Sequence, residues 1–307
     1  KDAFMAIYIA KQGQEKQAYK DLLTQLEKVR RYGFTNAELD RVKKERLSYY
    51  EKAYNERGTV RNISRAQECI RHYLDGAPMP GEEWEYQVIQ QLLPVITVDV
   101  LNKQAQQWVT DHNLIIAFQA PIEAVLPTEA EAIELLAAVK NEEIEAPVEE
   151  AIRENLVENA PKAGKIRKTA YNESLGTTEW TLSNGVRVIV KPTEFKQDEI
   201  LFSAFSKGGT SLVATENLVS AALATDVVSL SGIADMSMTD LQKALTGKNI
   251  SLSQSINNNT ESMDGSSTVK DLETLLQLNY LYFTAPRRDE EAYQMLMSVL
   301  ESQLANR

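Results

Sequence analysis

The sequence predicts an α+β protein in which antiparallel sheets carry helices packed on one face. Apolar residues recur at spacings of three and four near both ends of the chain, the mark of amphipathic helices. Later, "TTEWTLSNGVRVIVKPTEF" sets Asn184-Gly185 between two apolar-alternating runs. That is the strongest short hairpin signal, because both central residues of a type I′ turn need positive φ. A chain of 307 residues is also long for one core. Two domains of roughly 100–200 residues are expected.

Residues 4–10 alternate weakly and are apolar enough for a buried strand. Tyr19, Leu22, Leu23, Leu26 and Val29 then make the stripe of a helix ending near Gly33. Thr35 with Glu38 forms a capping box, and a long charged helix follows to about Asn55. Helices are expected at about 60–75, 82–93 and 98–108, the second opened by the acidic "GEEWE" turn. "NLIIAFQAP" reads as a strand closing a first unit near Pro121.

Residues 122–171 differ in character. Glu recurs through "PTEAEAIELLAAVKNEEIEAPVEEAIRENLVENAP", the basic "KAGKIRK" follows, and Pro stands at 127, 147 and 161. Such a stretch forms at most short helices and offers little apolar area, so it reads as an interdomain linker whose charges serve solvation and self-pairing. Limited proteolysis is expected to cut there first.

A second unit starts with the hairpin, where Val186, Val188 and Val190 share a face. "EILFSAFSKGG" gives the next strand, and Gly208-Gly209 lets the chain turn sharply into a small-residue helix over residues 216–230. Val219, Leu223, Val227 and Leu230 are the stripe it is expected to pack with. Ser237 caps a short helix that Gly247 ends. Ile250, Leu252 and Ile256 alternate along a strand, and "TESMDGSS" pairs back to it. Two helices close the chain, one near 269–284 with stripe Leu272, Leu275, Leu276 and Phe283. The other lies near 289–306, with Tyr293, Leu296, Val299, Leu300 and Leu304.

Hydrophobic content of 43% and charged content of 25% are those of a soluble globular protein. No window approaches 18 uninterrupted apolar residues, which excludes a helical membrane span. The net charge of −11 argues against a nucleic-acid surface. Basic runs exist at Lys28, Arg30 and Arg31 and at Arg41, Lys43, Lys44 and Arg46, but acids interleave them and make a solvated helix face. One cysteine, Cys69, allows no internal disulfide. The chain opens with a strand under way and stops inside an amphipathic helix, as expected of a piece of a longer polypeptide.

Chemistry-bearing residues are sparse. A zinc site takes three or four ligands, and the two histidines are His72 and His112. Cys69 and His72 could share a helix face, yet no second pair follows, so both read as packing or surface residues; His112 beside Asp111 reads as a turn residue. There is no Gly-x-Ser-x-Gly elbow, and no Lys-Ser/Thr follows Gly208-Gly209 to build a phosphate cradle. No residue of this chain is assigned as catalytic, cofactor-binding or metal-binding.

"WTLSNGVRVIVKPTEFKQDEILFSAFSKGGTS" resembles the opening of a repeat in the insulinase/pitrilysin family of zinc metallopeptidases. In that family's catalytic repeat, the helix after the Gly-rich turn carries His-x-x-Glu-His. Counted back from Gly232, the five matching positions are Leu223, Ala224, Thr225, Asp226 and Val227. Both histidines are replaced by apolar residues, and only Asp226 falls where the glutamate would. "GFTNAEL" likewise resembles the turn between two long helices in the family's second domain.

The resemblance implies that residues 1–121 are the latter part of a second domain, 122–171 the interhalf linker, and 172–307 a truncated, degenerate third domain. It implies zinc in the parent protein and none in this chain, and a parent endopeptidase whose zinc-free half and hinge enclose a peptide or unfolded-protein substrate. The alternative is a pseudoprotease that binds or scaffolds proteins. A homo-oligomer stays open, and a bacterial periplasm is the location the family implies.

Overall fold

The computed structural model describes every residue except 1–3, 12, 111–113, 121, 123, 149–152, 154, 306 and 307. Among the described residues, helices α1 (Glu15–Tyr32), α2 (Asn36–Asn55), α3 (Asn62–Asp75), α4 (Glu82–Leu92), α5 (Val98–Trp108) and α6 (Glu129–Val139) come first. Strands β1 (Ile166–Asn172), β2 (Thr177–Leu182), β3 (Arg187–Val190) and β4 (Ile200–Lys207) lead to α7 (Leu218–Ser231) and α8 (Met238–Ala244). After β5 (Ile250–Ile256) and β6 (Thr260–Ser267) come α9 (Leu272–Thr284) and α10 (Glu290–Ala305). The α+β class expected from the sequence holds.

Two compact units divide the chain: residues 1–43 with 91–151, and residues 44–90 with 152–307. This grouping differs from a division at 121 and 171, and the Glu-rich stretch shows why. Its α6 has a true Thr128/Glu131 capping box, and Ala132, Val139 and Ile144 are buried against Tyr19 and Leu23 of α1. An average over composition hides that periodicity, because the acids Glu129 and Glu134 take the outward positions. The far end of the same stretch belongs to the second unit, whose core takes in Leu156 while Gln277 Oε1 accepts from the Leu156 N–H at 3.0 Å.

Arg31 secures α6. Its guanidinium donates to the carbonyls of Glu142 at 2.8 Å and Lys140 at 2.9 Å, satisfying acceptors that a helix end leaves open. Glu27, buried on α1, holds Arg31 at 2.6 Å and grips Arg30 through both oxygens. Its carboxyl is kept below the ordinary value by the Arg30 hydrogen bond first, and by Arg31, against the cost of burial. A depressed folded value means that this stabilisation is present above the unfolded pKa and is lost as pH falls through the folded one. Arg31→Ala is expected to cost about 2–4 kcal/mol, and trypsin or Glu-C should then cut within residues 129–145. Protection of that stretch in the variant, equal to the parent chain, would show the anchor to be unimportant.

Two expected strands are absent. Residues 4–10 and 114–120 are neither helix nor strand, and Ile9 and Ile115 are about nine-tenths exposed. Alternation alone does not make a strand, because backbone N–H and C=O groups need a neighbouring strand, and the described residues of the first unit contain none.

In the second unit β1-β2-β3 and β4-β6-β5 are separate antiparallel sheets. The hairpin at Asn184-Gly185 forms, but not as a type I′ turn. Among the described non-glycine residues only Ala234 has positive φ, whereas Gly185 lies at +90°. Gly185 N–H donates to Leu182 C=O and Leu182 N–H to Val186 C=O, so one extra residue enters the loop. Strand β1, "IRKTAYN", begins inside the stretch read as linker, runs one residue past its end and pairs along β2 from Ile166 to Asn172.

Helices α7 and α9 pack on β5, and α10 packs on α7. The core gathers Ile233, Met236, Leu241, Leu278 and Leu281. On α9 the buried residues are Leu275, Leu278 and Leu281, whereas Leu276 and Phe283 of the expected stripe point outward.

Candidate functional site

Strand β4 and the Gly208-Gly209 turn lead the chain into α7, the small-residue helix. The turn is tied to the β5–β6 loop: Gly208, Thr210 and Ser211 N–H donate to the carbonyls of Asn259, Asn257 and Asn258, each at 2.9 Å. Glu261 braces it, accepting from Ser206 Oγ at 2.6 Å and Gly209 N–H at 3.1 Å, and these two bonds hold its carboxyl below the usual range. Gln254 Nε2 donates to Ser229 Oγ at 3.1 Å and fixes α7 to β5.

On α7, Leu223, Ala224, Thr225 and Val227 are half-buried and Asp226 is exposed. Val219 departs from the expected stripe, because the first turn of α7 leaves it open to solvent. This donor set does not fit zinc. Leu223 and Val227 have no ligating atom, and among the described residues no group of three or more His, Cys, Asp or Glu could hold a metal. Cys69 and His72 are both exposed on α3, and His72 Nδ1 lies 2.7 Å from Ala77 C=O. His112 lies outside the described residues.

Chelator-treated, zinc-reloaded chain is expected to retain no stoichiometric zinc; one tightly held equivalent would contradict the assignment. Asp226→Asn should leave stability within about 0.5 kcal/mol. Leu223→Ala should cost about 1–3 kcal/mol, less than a fully buried leucine would. Urea unfolding of both variants decides.

Two features escaped the sequence reading. The first is the bare face of β4-β6-β5, opposite the helices. Ser251, Ser253 and Ser255 of β5 stand beside Ser266, Asp264 and Ser262 of β6, and Ser203 of β4 donates to Asp264 Oδ1 at 2.7 Å. Leu201 and Phe205 flank this hydroxyl grid and are largely exposed. Period-two alternation predicts such a face, but its Ser content carries no motif.

The second is a buried acidic pair. Glu56, just past α2, accepts from Asp198 N–H and Thr59 Oγ1, each at 2.6 Å, with Lys196 Nζ 3.6 Å away. Asp198 accepts from Asn55 Nδ2 at 2.8 Å and Val269 N–H at 3.0 Å. Burial pushes the Glu56 carboxyl up, but Thr59, the Asp198 N–H and Lys196 outweigh it and hold it below the ordinary value. Glu56 so engaged is a poor proton acceptor, and its hydrogen bond from the Asp198 N–H makes the pair a clasp. Beside it lies a polar cavity of about 630 Å³ lined by Asn55, Arg57, Thr59, Gln197, Asp198 and Val269.

No protein-family model matches the chain. It is 29% identical over 276 residues to "Zinc protease PQQL-like" of Arabidopsis thaliana, covering 88% of this chain and 26% of the relative. It is 25% identical over 239 residues to "Probable zinc protease PqqL" of Escherichia coli, covering 76% and 26%. The chain therefore spans about a quarter of the length of these curated relatives. Among solved structures it is similar in fold to the ferredoxin protease FusC, crystallised as its E83A mutant with Arabidopsis ferredoxin. That match has a TM-score of 0.52 and 21% identity, over 96% of this chain and 33% of the other.

Proposed function

From its membership of the insulinase/pitrilysin family of zinc metallopeptidases, we propose that this chain is part of a zinc-dependent endopeptidase and supplies the hinge and part of the half that holds no zinc. In this reading residues 1–121 are the latter part of a second domain, 122–171 the linker and 172–307 a degenerate third domain. Zinc is held by residues outside this chain.

The observation that carries the reading is α7. In this reading α7, a helix with apolar Leu223 and Val227, is the counterpart of the zinc helix, and those two residues stand for its ligands. The serine face supports it. Hydroxyls exchange hydrogen bonds with a peptide backbone at little net cost, and exposed Leu201 and Phe205 beside them add limited apolar contact, which suits a wall that lines an extended chain. Contacts made far from the scissile bond can position it for the transition state. A peptide or unfolded protein is the substrate class we assign, with the ferredoxin protease's own complex as the parallel. A bacterial periplasm is the location we propose; among the described residues no helix is long and apolar enough to cross a membrane.

The full-length parent tests this. It should hydrolyse quenched peptides, lose activity to a chelator and regain it with zinc, while the present chain alone stays inert. Ser253→Trp in the parent should lower kcat/KM for a protein substrate about tenfold more than for a tripeptide. A folded parent with no zinc-dependent hydrolysis would favour the scaffold reading.

A further inference from the structure

The second half of α2 meets the sheet layer through a stripe of four polar residues. Lys44, Ser48, Glu51 and Asn55 fall at spacings of four, three and four, so they share a helix face. Buried Ser48 accepts from Asn249 Nδ2, through Oγ at 2.6 Å and through its carbonyl at 3.3 Å. Glu51 pairs with Lys270, and Asn55 donates to Asp198. Beside Lys44 the chain comes so close to Gly247 that a Cβ there would lie 3.0 Å from the Lys44 Cβ. Asn249 is itself set by Asp271, which accepts from its N–H at 2.9 Å.

Apolar packing is divided differently. The buried cluster under β5 and α9 takes its members from residues 156–285 and none from 44–90. The polar cavity lies along the same seam, with Asn55, Arg57, Gly58 and Thr59 on one side and Gln197, Asp198 and Val269 on the other. A seam joined by hydrogen bonds and ion pairs can part with water replacing each partner, whereas parting a core would expose apolar surface.

We infer that residues 44–90 form an arm latched to the sheet layer by this polar stripe, with a docked position, seen here, and a released one that opens the cavity and leaves the core intact. The inference rests on the contact chemistry of this chain and is independent of whether the parent cleaves peptides.

Cys69, the single cysteine and exposed on α3, gives the probe. Spin labels on Cys69 and on Thr239→Cys, an exposed position of α8, report the distance between arm and layer. One distance is expected at low ionic strength. In about 1 M salt, which screens the Glu51–Lys270 and Glu56–Lys196 pairs, a longer second distance should grow several-fold. The double variant Asn249→Ala/Lys270→Ala should show it at low salt, with circular dichroism and the main unfolding transition unchanged. A single unaltered distance in both measurements overturns the latch. So does loss of the sheet signal together with the docked distance, because the stripe would then hold the fold itself.

Discussion

Gly209→Ala is expected to destabilise the second unit by about 3–5 kcal/mol. Left-handed backbone costs a non-glycine residue about 1–2 kcal/mol, and Gly209 has φ +62°. Space is the larger difficulty. A Cβ there would lie 2.1 Å from Asn257 O and 2.8 Å from Thr260 N, both backbone atoms that no rotamer change can move. The turn would have to leave the β5–β6 loop, straining the three backbone bonds from Gly208, Thr210 and Ser211, each worth about 1 kcal/mol. Against a domain stability of about 5–15 kcal/mol, this is a large fraction. The urea midpoint should fall by roughly 2 M. Gly58→Ala is the control: nothing lies within 4 Å of its added Cβ, and its φ is ordinary. Equal midpoints for the two variants would show that the Gly208-Gly209 turn is not held as described.

That turn was legible because glycine pairs after a strand carry their own geometry. So were the caps: Thr35 bonds with Glu38 as their spacing dictates, and Ser237 caps α8, where the structure adds Asp240 as its partner. Local signals of this kind are complete within four residues. Strand pairing is not, and residues 4–10 and β1 show both directions of error. The first has the alternation and no strand partner among the described residues; the second has a partner in β2 and a wholly exposed sequence of mixed polarity that advertises nothing. On α9, spacing could not decide between Leu278 and Phe283, because the helix is apolar on more than one side and its neighbours choose the buried face. At the candidate site α7 could be read from its run of small and apolar residues after the glycine pair. The Glu56–Asp198 clasp could not, since its members lie 142 residues apart and each alone resembles a surface acid.

Gly232→Ala should have the larger effect, because strain, collision and core packing meet at one residue. Gly232 ends α7 with φ +81° and ψ −153°, a combination essentially confined to glycine that costs other residues of order 1–3 kcal/mol. An added Cβ would stand 2.3 Å from Met236 O, 2.6 Å from Ser237 C and 2.7 Å from Met238 N, again all backbone. Those atoms belong to the tight turn in which Ile233 N–H donates to Met236 C=O at 3.0 Å and Met236 N–H returns the bond at 2.8 Å. Ile233 is fully buried and Met236 nearly so, and both sit in the cluster with Leu241, Leu278 and Leu281. Moving the turn to admit a methyl group therefore displaces core side chains, at a cost comparable to a buried large-to-small change of about 2–5 kcal/mol. The sum, about 4–7 kcal/mol with overlap between the contributions, reaches the stability of many whole domains. The variant should be largely unfolded at 37 °C, with lost near-ultraviolet dichroism and rapid digestion of residues 218–285 by protease. Ile233→Val, which trims the same core without touching the glycine, should cost only about 0.5–1.5 kcal/mol. A Gly232→Ala chain as stable as Ile233→Val would mean that α7 ends in a different conformation, and the alignment of Leu223 and Val227 with the family's ligand positions, counted back from this glycine, would lose its anchor.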